Sequence, residues 1–292
     1  MRVTNETAYR SLLRDLERIS ERMQETQLQI SSGKKLHKPS DDPTAVSDVV
    51  RIKAERSEIA QYRDNVATAK SRLGIADTTL QSVETMIERV RSLALLSMSN
   101  VATAHVQTTE IAGLRDQLVS AANTTFDGQY IFAGSNVDGP AYTEASDGTV
   151  TYTGNDHEVS LQIGRSATLQ MQVPGSEIFS GAVDLFATLK DLVDAMNAGD
   201  KGGISAQVAK LEQFSSVVGG ALGQVGGLVN VAQSVEADLT QYELARTEDL
   251  MNLEDVDLSV ALTDFTQSET ALRAATAVGA RISNISILDY LR

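Results

Sequence analysis

Residues 31–46 read SSGKKLHKPSDDPTAV, and the reading of this stretch decides how the chain is built. It lies between two long helical patterns. Gly33 and Pro39 oppose helix, whereas Ser40, Asp41 and Asp42 suit a helix start. Pro43 fits a first helical turn, where proline sacrifices no intrahelical hydrogen bond. The stretch is either an ordinary loop or a joint whose shape matters.

Upstream, Tyr9, Leu12, Leu16, Ile19, Met23, Thr26 and Ile30 recur every three or four residues, with Arg and Glu between them. This narrow apolar stripe predicts a helix that packs against one partner helix. Downstream, from about Thr44 to Ser99, the series Tyr62, Val66, Ala69, Leu73, Ala76, Leu80, Val83, Ile87, Val90 and Ala94 keeps the same rhythm without a slip. So long a pattern predicts a rod-like helix in a bundle. A third helix is expected over roughly Thr108 to Thr124.

From about Phe126 the texture changes to Gly, Thr and alternating apolar positions. Asp147–Gly148 signals a hairpin, and 158–163 and 167–173 alternate with period two, which predicts strands. Helix returns near Val183, pauses at 197–203, and then runs from Ile204 to Tyr242. Gly219, Gly220, Gly223, Gly226 and Gly227 lie inside this last pattern, each costing about 1 kcal/mol relative to Ala. They imply either close approach of another helix or a local break, with a weakened helix favoured. After the polar NLEDVD (252–257), a final stripe carries Leu258, Leu262, Phe265, Leu272, Ala275, Val278, Ile282, Ile285 and Leu288.

The two ends mirror each other, so the fold expected is mainly α. A long antiparallel helical bundle or coiled coil is built from both termini, with a small β-rich domain inserted mid-chain. Residues 1–32 with 258–292 form the terminal coiled coil, and 33–43 with 252–257 form linkers. Residues 44–125 with 183–251 form a helical rod, and 126–182 the β-rich part. The assembly seam is Leu12, Leu16, Ile19, Met23 and Ile30 with Leu258, Leu262, Phe265, Leu272, Val278, Ile282, Ile285 and Leu288. The interdomain joint is Gly33, Pro39, Ser40, Asp41, Asp42 and Pro43, set beside NLEDVD.

Composition narrows the function. The 292 residues carry 39 acidic and 25 basic side chains, net −14, which opposes binding to nucleic acid. There is no cysteine, hence no disulfide, thiolate metal site or cysteine nucleophile. His37, His105 and His157 lack metal-site spacing, and no phosphate loop or nucleophile elbow occurs. The spacing of Asp147, Asp156 and Glu158 does not match a calcium loop. No cofactor and no enzyme activity are expected. No apolar run approaches the roughly 18 residues of a membrane span, so no membrane insertion is expected. With no Trp and 4% aromatic residues, the core should be aliphatic.

Within this frame, ISSGKKLHKPSDDPTAV (30–46) resembles the signature of the bacterial flagellin superfamily where its first coiled-coil helix gives way to the next. MRVTNETAY (1–9), LRDQLVSAANTTFDGQYIFAGS (114–135), VPGSEIF (173–179) and SILDYLR (286–292) are similar to the hook-associated branch of that superfamily. The ending lacks the Gln- and Asn-rich character of flagellin itself. The resemblance implies a non-enzymatic structural part of the extracellular flagellum, at the hook–filament junction. It implies export by the flagellar type III pathway, with a chaperone at the C-terminal helix. It further implies self-association in a junction ring, an adjoining hook-associated protein, and flagellin as neighbours. Flagellin or another axial protein of the superfamily is the alternative, and a helical adaptor module is the reading from a different class.

Overall fold

The structure, a computed structural model, describes residues 2–99, 104–136, 139–146 and 148–290, with the side chains of 2–6, 8, 104 and 282–290 excepted. In order, α1 is Arg2–Ser32, α2 Pro43–Ser99 and α3 Ala104–Ala122. Strands β1 (Thr125–Phe126), β2 (Gln129–Tyr130), β3 (Tyr142–Glu144), β4 (Val150–Tyr152), β5 (Ser160–Gln162) and β6 (Thr168–Gln170) follow. Then come α4 (Gly175–Phe179), α5 (Leu185–Ala198), α6 (Lys201–Glu254) and α7 (Leu258–Tyr290). The fold is mainly helical, with three two-stranded antiparallel pairs mid-chain, β1–β2, β3–β4 and β5–β6. The chain divides into two compact units, one of residues 1–57 with 243–292 and one of residues 58–242.

In the second unit the periodic residues of α2 from Val66 to Ala94 are buried, as are Ile111 and Leu118 of α3 and Ile204, Leu211, Val218 and Val225 of α6. The hairpin read from sequence is β3–β4, pairing Thr143 with Thr151; Asp147 in its turn lies outside the described residues. Asp184 caps α5 by accepting from the Ala187 N–H at 2.9 Å, and Gly199 ends it at φ 65°. The short α4, framed by Pro174 and Ser180, is a helix that sequence periodicity misses.

The aliphatic core expected from composition needs one correction. Although scarce, the aromatic residues gather at one place, where Phe179 meets Phe132 at 5.5 Å, Tyr142 at 5.7 Å, and Phe186 and Phe214 at 6.3 Å. The Tyr142 hydroxyl donates to Gly175 O at 2.8 Å, and burial pushes its ionisation above the usual phenol range. Through this cluster the β-rich stretch shares a core with the helices of its unit.

Helix α6 runs unbroken through the five glycines, and none has a neighbour within 4 Å of where a Cβ would stand. Neither a break nor a close helix among the described residues accounts for them. Gly223→Ala is therefore expected to stabilise the free subunit by about 1 kcal/mol, read as a higher thermal midpoint. A lower midpoint would mean that a neighbour touches this face. The same helix also contains an 18-residue window of mean hydropathy 1.3, of which 22% is buried. This corrects the expectation that no stretch approaches a span by composition. Valine and leucine supply that hydropathy, while Phe214, Val218 and Val225 pack in the core of the unit.

Candidate functional site

In the first unit α1 and α7 lie along each other. Leu12, Leu16, Ile19, Met23 and Ile30 of α1 are half-buried, and Thr26 is buried. The facing side of α7 is Ala261, Phe265, Ser268, Leu272, Ala275 and Gly279, of which Ala261 and Ser268 are buried. Small residues alternate with large ones here, and a Cβ on Gly279 would stand 3.0 Å from Leu12 Cδ2. This lets the two backbones approach closely. Leu258, Leu262 and Val278 are not on this face: they are exposed by 55%, 57% and 51%. Their spacing fits a stripe, but the helix turns that stripe to the flanks of the pair. The side chains of Ile282, Ile285 and Leu288 lie outside those described.

The opening segment is folded upon the end of α6. Gly33, at φ 72°, closes α1 with its N–H on Gln29 O at 2.9 Å, a left-handed cap that glycine adopts without strain. Lys34 and Asp255 then pair as an antiparallel bridge. The Lys35 N–H donates to Glu254 O at 2.7 Å, and the Val256 N–H to Gly33 O at 3.0 Å. The two polar interruptions therefore lie side by side, both within the first unit.

Glu254 holds this contact. Its buried carboxylate accepts from Lys34 Nζ at 2.8 Å and Lys53 Nζ at 3.0 Å, while Lys35 Nζ donates to Asn252 O at 2.8 Å. Burial pushes the Glu254 carboxyl up, and the bonds to Lys34 and Lys53 outweigh it, leaving it below its ordinary range. Since the folded-state value is depressed, the stabilisation is complete above the unfolded-state value. It is lost as pH falls through the folded-state one. Glu254→Gln is expected to remove the charge and cost about 1 kcal/mol, since both lysines are half exposed. Amide exchange at Lys35 and Val256 should accelerate several-fold, and unchanged exchange there would show that the backbone bridge stands alone.

The remaining joint residues form caps. Asp41 Oδ2 accepts from the His37 and Lys38 N–H groups at 3.0 and 2.8 Å, and these bonds hold its carboxyl below the usual range. Asp42 Oδ1 accepts from Thr44 and Ala45 at 3.0 Å each, capping α2 ahead of Pro43. Asp257 does the same for α7 through Ser259 and Val260. His37 Nε2 meets Ser32 Oγ at 2.7 Å. Pro39 and Ser40 are exposed, and Ser40 borders a groove of about 390 Å³ with Glu21, Glu25 and Leu28 of α1. No cluster of metal-binding side chains occurs among the described residues. What the arrangement offers is a pair of helices with apolar flanks, anchored by a clamped turn.

Comparison with known proteins agrees with this geometry. Residues 3–137 match the bacterial flagellin N-terminal helical region. Flagellar hook-associated protein 3 of Escherichia coli (strain K12) is 24% identical over 317 residues, covering 99% of each chain. Its Salmonella typhimurium counterpart is 24% identical over 292 residues, covering 90% of this chain and 91% of the relative. A solved structure of a flagellar hook-associated protein from Vibrio parahaemolyticus shares the fold at a TM-score of 0.69 and 22% identity, over 74% of this chain and 100% of that one. The chain is thus similar to the N-terminal helical region of bacterial flagellin over residues 3–137, and along its whole length to hook-associated protein 3.

Proposed function

We propose that this protein is a structural component of the extracellular bacterial flagellum at the hook–filament junction, assembling through its terminal helices and providing the platform on which flagellin polymerises. The full-length likeness to hook-associated protein 3 carries the reading. The exposed Leu258, Leu262 and Val278 beside the α1–α7 pair support it, since aliphatic side chains on the flanks of a helix pair gain by meeting further helices. The role is non-enzymatic and needs no cofactor. Neighbours are copies of the same chain, an adjoining hook-associated protein and flagellin, with an export chaperone on the C-terminal helix before assembly.

Electron microscopy of a deletion strain tests the reading. Hooks without filaments, and flagellin shed into the medium, are expected; filaments of normal length would refute it. The match to the flagellin N-terminal region favours filament-forming flagellin as a second reading. Purified protein that grows into long filaments by itself would select that alternative.

A further inference from the structure

In the second unit, Arg72 of α2 is 2% exposed, the one buried arginine among the described residues. Its hydrogen bonds all go to neutral acceptors. Nη1 donates to Gln129 Oε1 at 3.3 Å, and Nη2 donates to Tyr130 O at 3.2 Å and to Gln172 Oε1 at 2.6 Å. No carboxylate among the described residues is paired with it, and burial alone lowers its affinity for its proton. Scarcity is not the reason, since the chain has 39 acidic residues.

The contact with Gln172 has a further consequence. A guanidinium only donates, so the amide must turn its oxygen toward Arg72 and its NH₂ away. Gln172 is 1% exposed, and its Nε2 meets no acceptor; neither does Arg72 Nε. Nε and Nη2 share one edge of the guanidinium, and Oε1 and Nε2 share one amide. The two free donors therefore belong to groups joined by the 2.6 Å bond. A desolvated cation with one N–H of its own free, bonded to an amide whose NH₂ is free as well, has the chemistry of an anion receptor. Water can satisfy the donors but not the charge. Burial excludes a side chain from another subunit, so the ligand must be small and diffusible.

We propose that Arg72 and Gln172 hold a small monovalent anion of the halide class, a structural ligand joining α2 to the β1–β2 hairpin and to the segment after β6. The site is independent of the flagellar role. Its test is the thermal midpoint of the full chain in sodium bromide or chloride against sodium gluconate at equal ionic strength, together with bromide anomalous diffraction. The midpoint should be higher in halide and rise with the logarithm of halide concentration once the site is filled. An anomalous peak should stand within hydrogen-bond reach of Arg72 Nε and Gln172 Nε2.

Gln172→Glu supplies a fixed carboxylate in place of the anion. Its midpoint in gluconate should rise above that of the unsubstituted chain, and the halide dependence should vanish. Arg72→Met should also be halide-independent. Equal midpoints in halide and gluconate for the unsubstituted chain, or no bromide peak at the pair, would overturn the site. A halide effect persisting undiminished in Gln172→Glu would be a general salt effect and would overturn it too.

Discussion

Cells carrying Leu272→Asp in place of the unsubstituted subunit are expected to bear hooks without filaments. Leu272 stands half-buried on the inward face of α7, between Phe265 and Ala275 and toward the apolar stripe of α1. A carboxylate there must lose water against Leu and Ile side chains at a cost of about 1–3 kcal/mol, or else the helices must part. A lone helix of about 30 residues with a narrow stripe has little stability of its own, so the loss falls on pairing and then on assembly. Residues 58–242 form a separate compact unit, and its thermal transition should be unchanged. Leu272→Met, which conserves volume, should restore filaments. Ile19→Asp on the opposing helix should behave as Leu272→Asp does. Normal filaments with either aspartate would remove these residues from the seam. Leu262→Asp separates two levels of assembly: at 57% exposure it should leave the α1–α7 pair intact and still block incorporation.

The largest loss of stability is expected from Phe179→Ala. Phe179 is fully buried and touches four other rings contributed by the β-rich stretch, α5 and α6. Truncation leaves a cavity that four large neighbours cannot jointly fill, costing about 3–5 kcal/mol. For a unit of this size that lowers the midpoint by about 10 °C. Calorimetry should show the drop in the transition of residues 58–242, while amide exchange at Lys35 and Val256 stays as it was. A drop of only a degree or two would mean that the ring cluster contributes little.

The helices were legible in the sequence because their information is local. The uninterrupted spacing from Val66 to Ala94 admits one structure, and Asp42 before Pro43 marks a helix start that the hydrogen bonds to Thr44 and Ala45 realise. The five residues of α4 are too few for a period. The ring cluster joins positions 132, 142, 179, 186 and 214, which no window spans. On α7, attention to large apolar residues singled out Leu258, Leu262 and Val278, whereas Ala261, Ser268 and Gly279 face α1. Hydrophobicity identifies what gains from burial, but close helix packing selects for what is small. The Glu254 clamp was hidden for a different reason: Lys34 lies 220 positions away, and a charge has no periodicity to betray its partner.

That separation governs the order of events when the chain folds. The bridge between Lys34 and Asp255 closes a loop containing about three quarters of the chain, an entropic debt no short-range contact reduces while the loop is slack. Folding of residues 58–242 takes up that slack through contacts nearer in sequence. The bridge and the helix pair it anchors should follow. Helix α1, synthesised before α7, must then wait for it, and in the interval its apolar stripe is open to other partners. The clamp thus acts as a timing device: it withholds the terminal pair until the rest of the subunit exists.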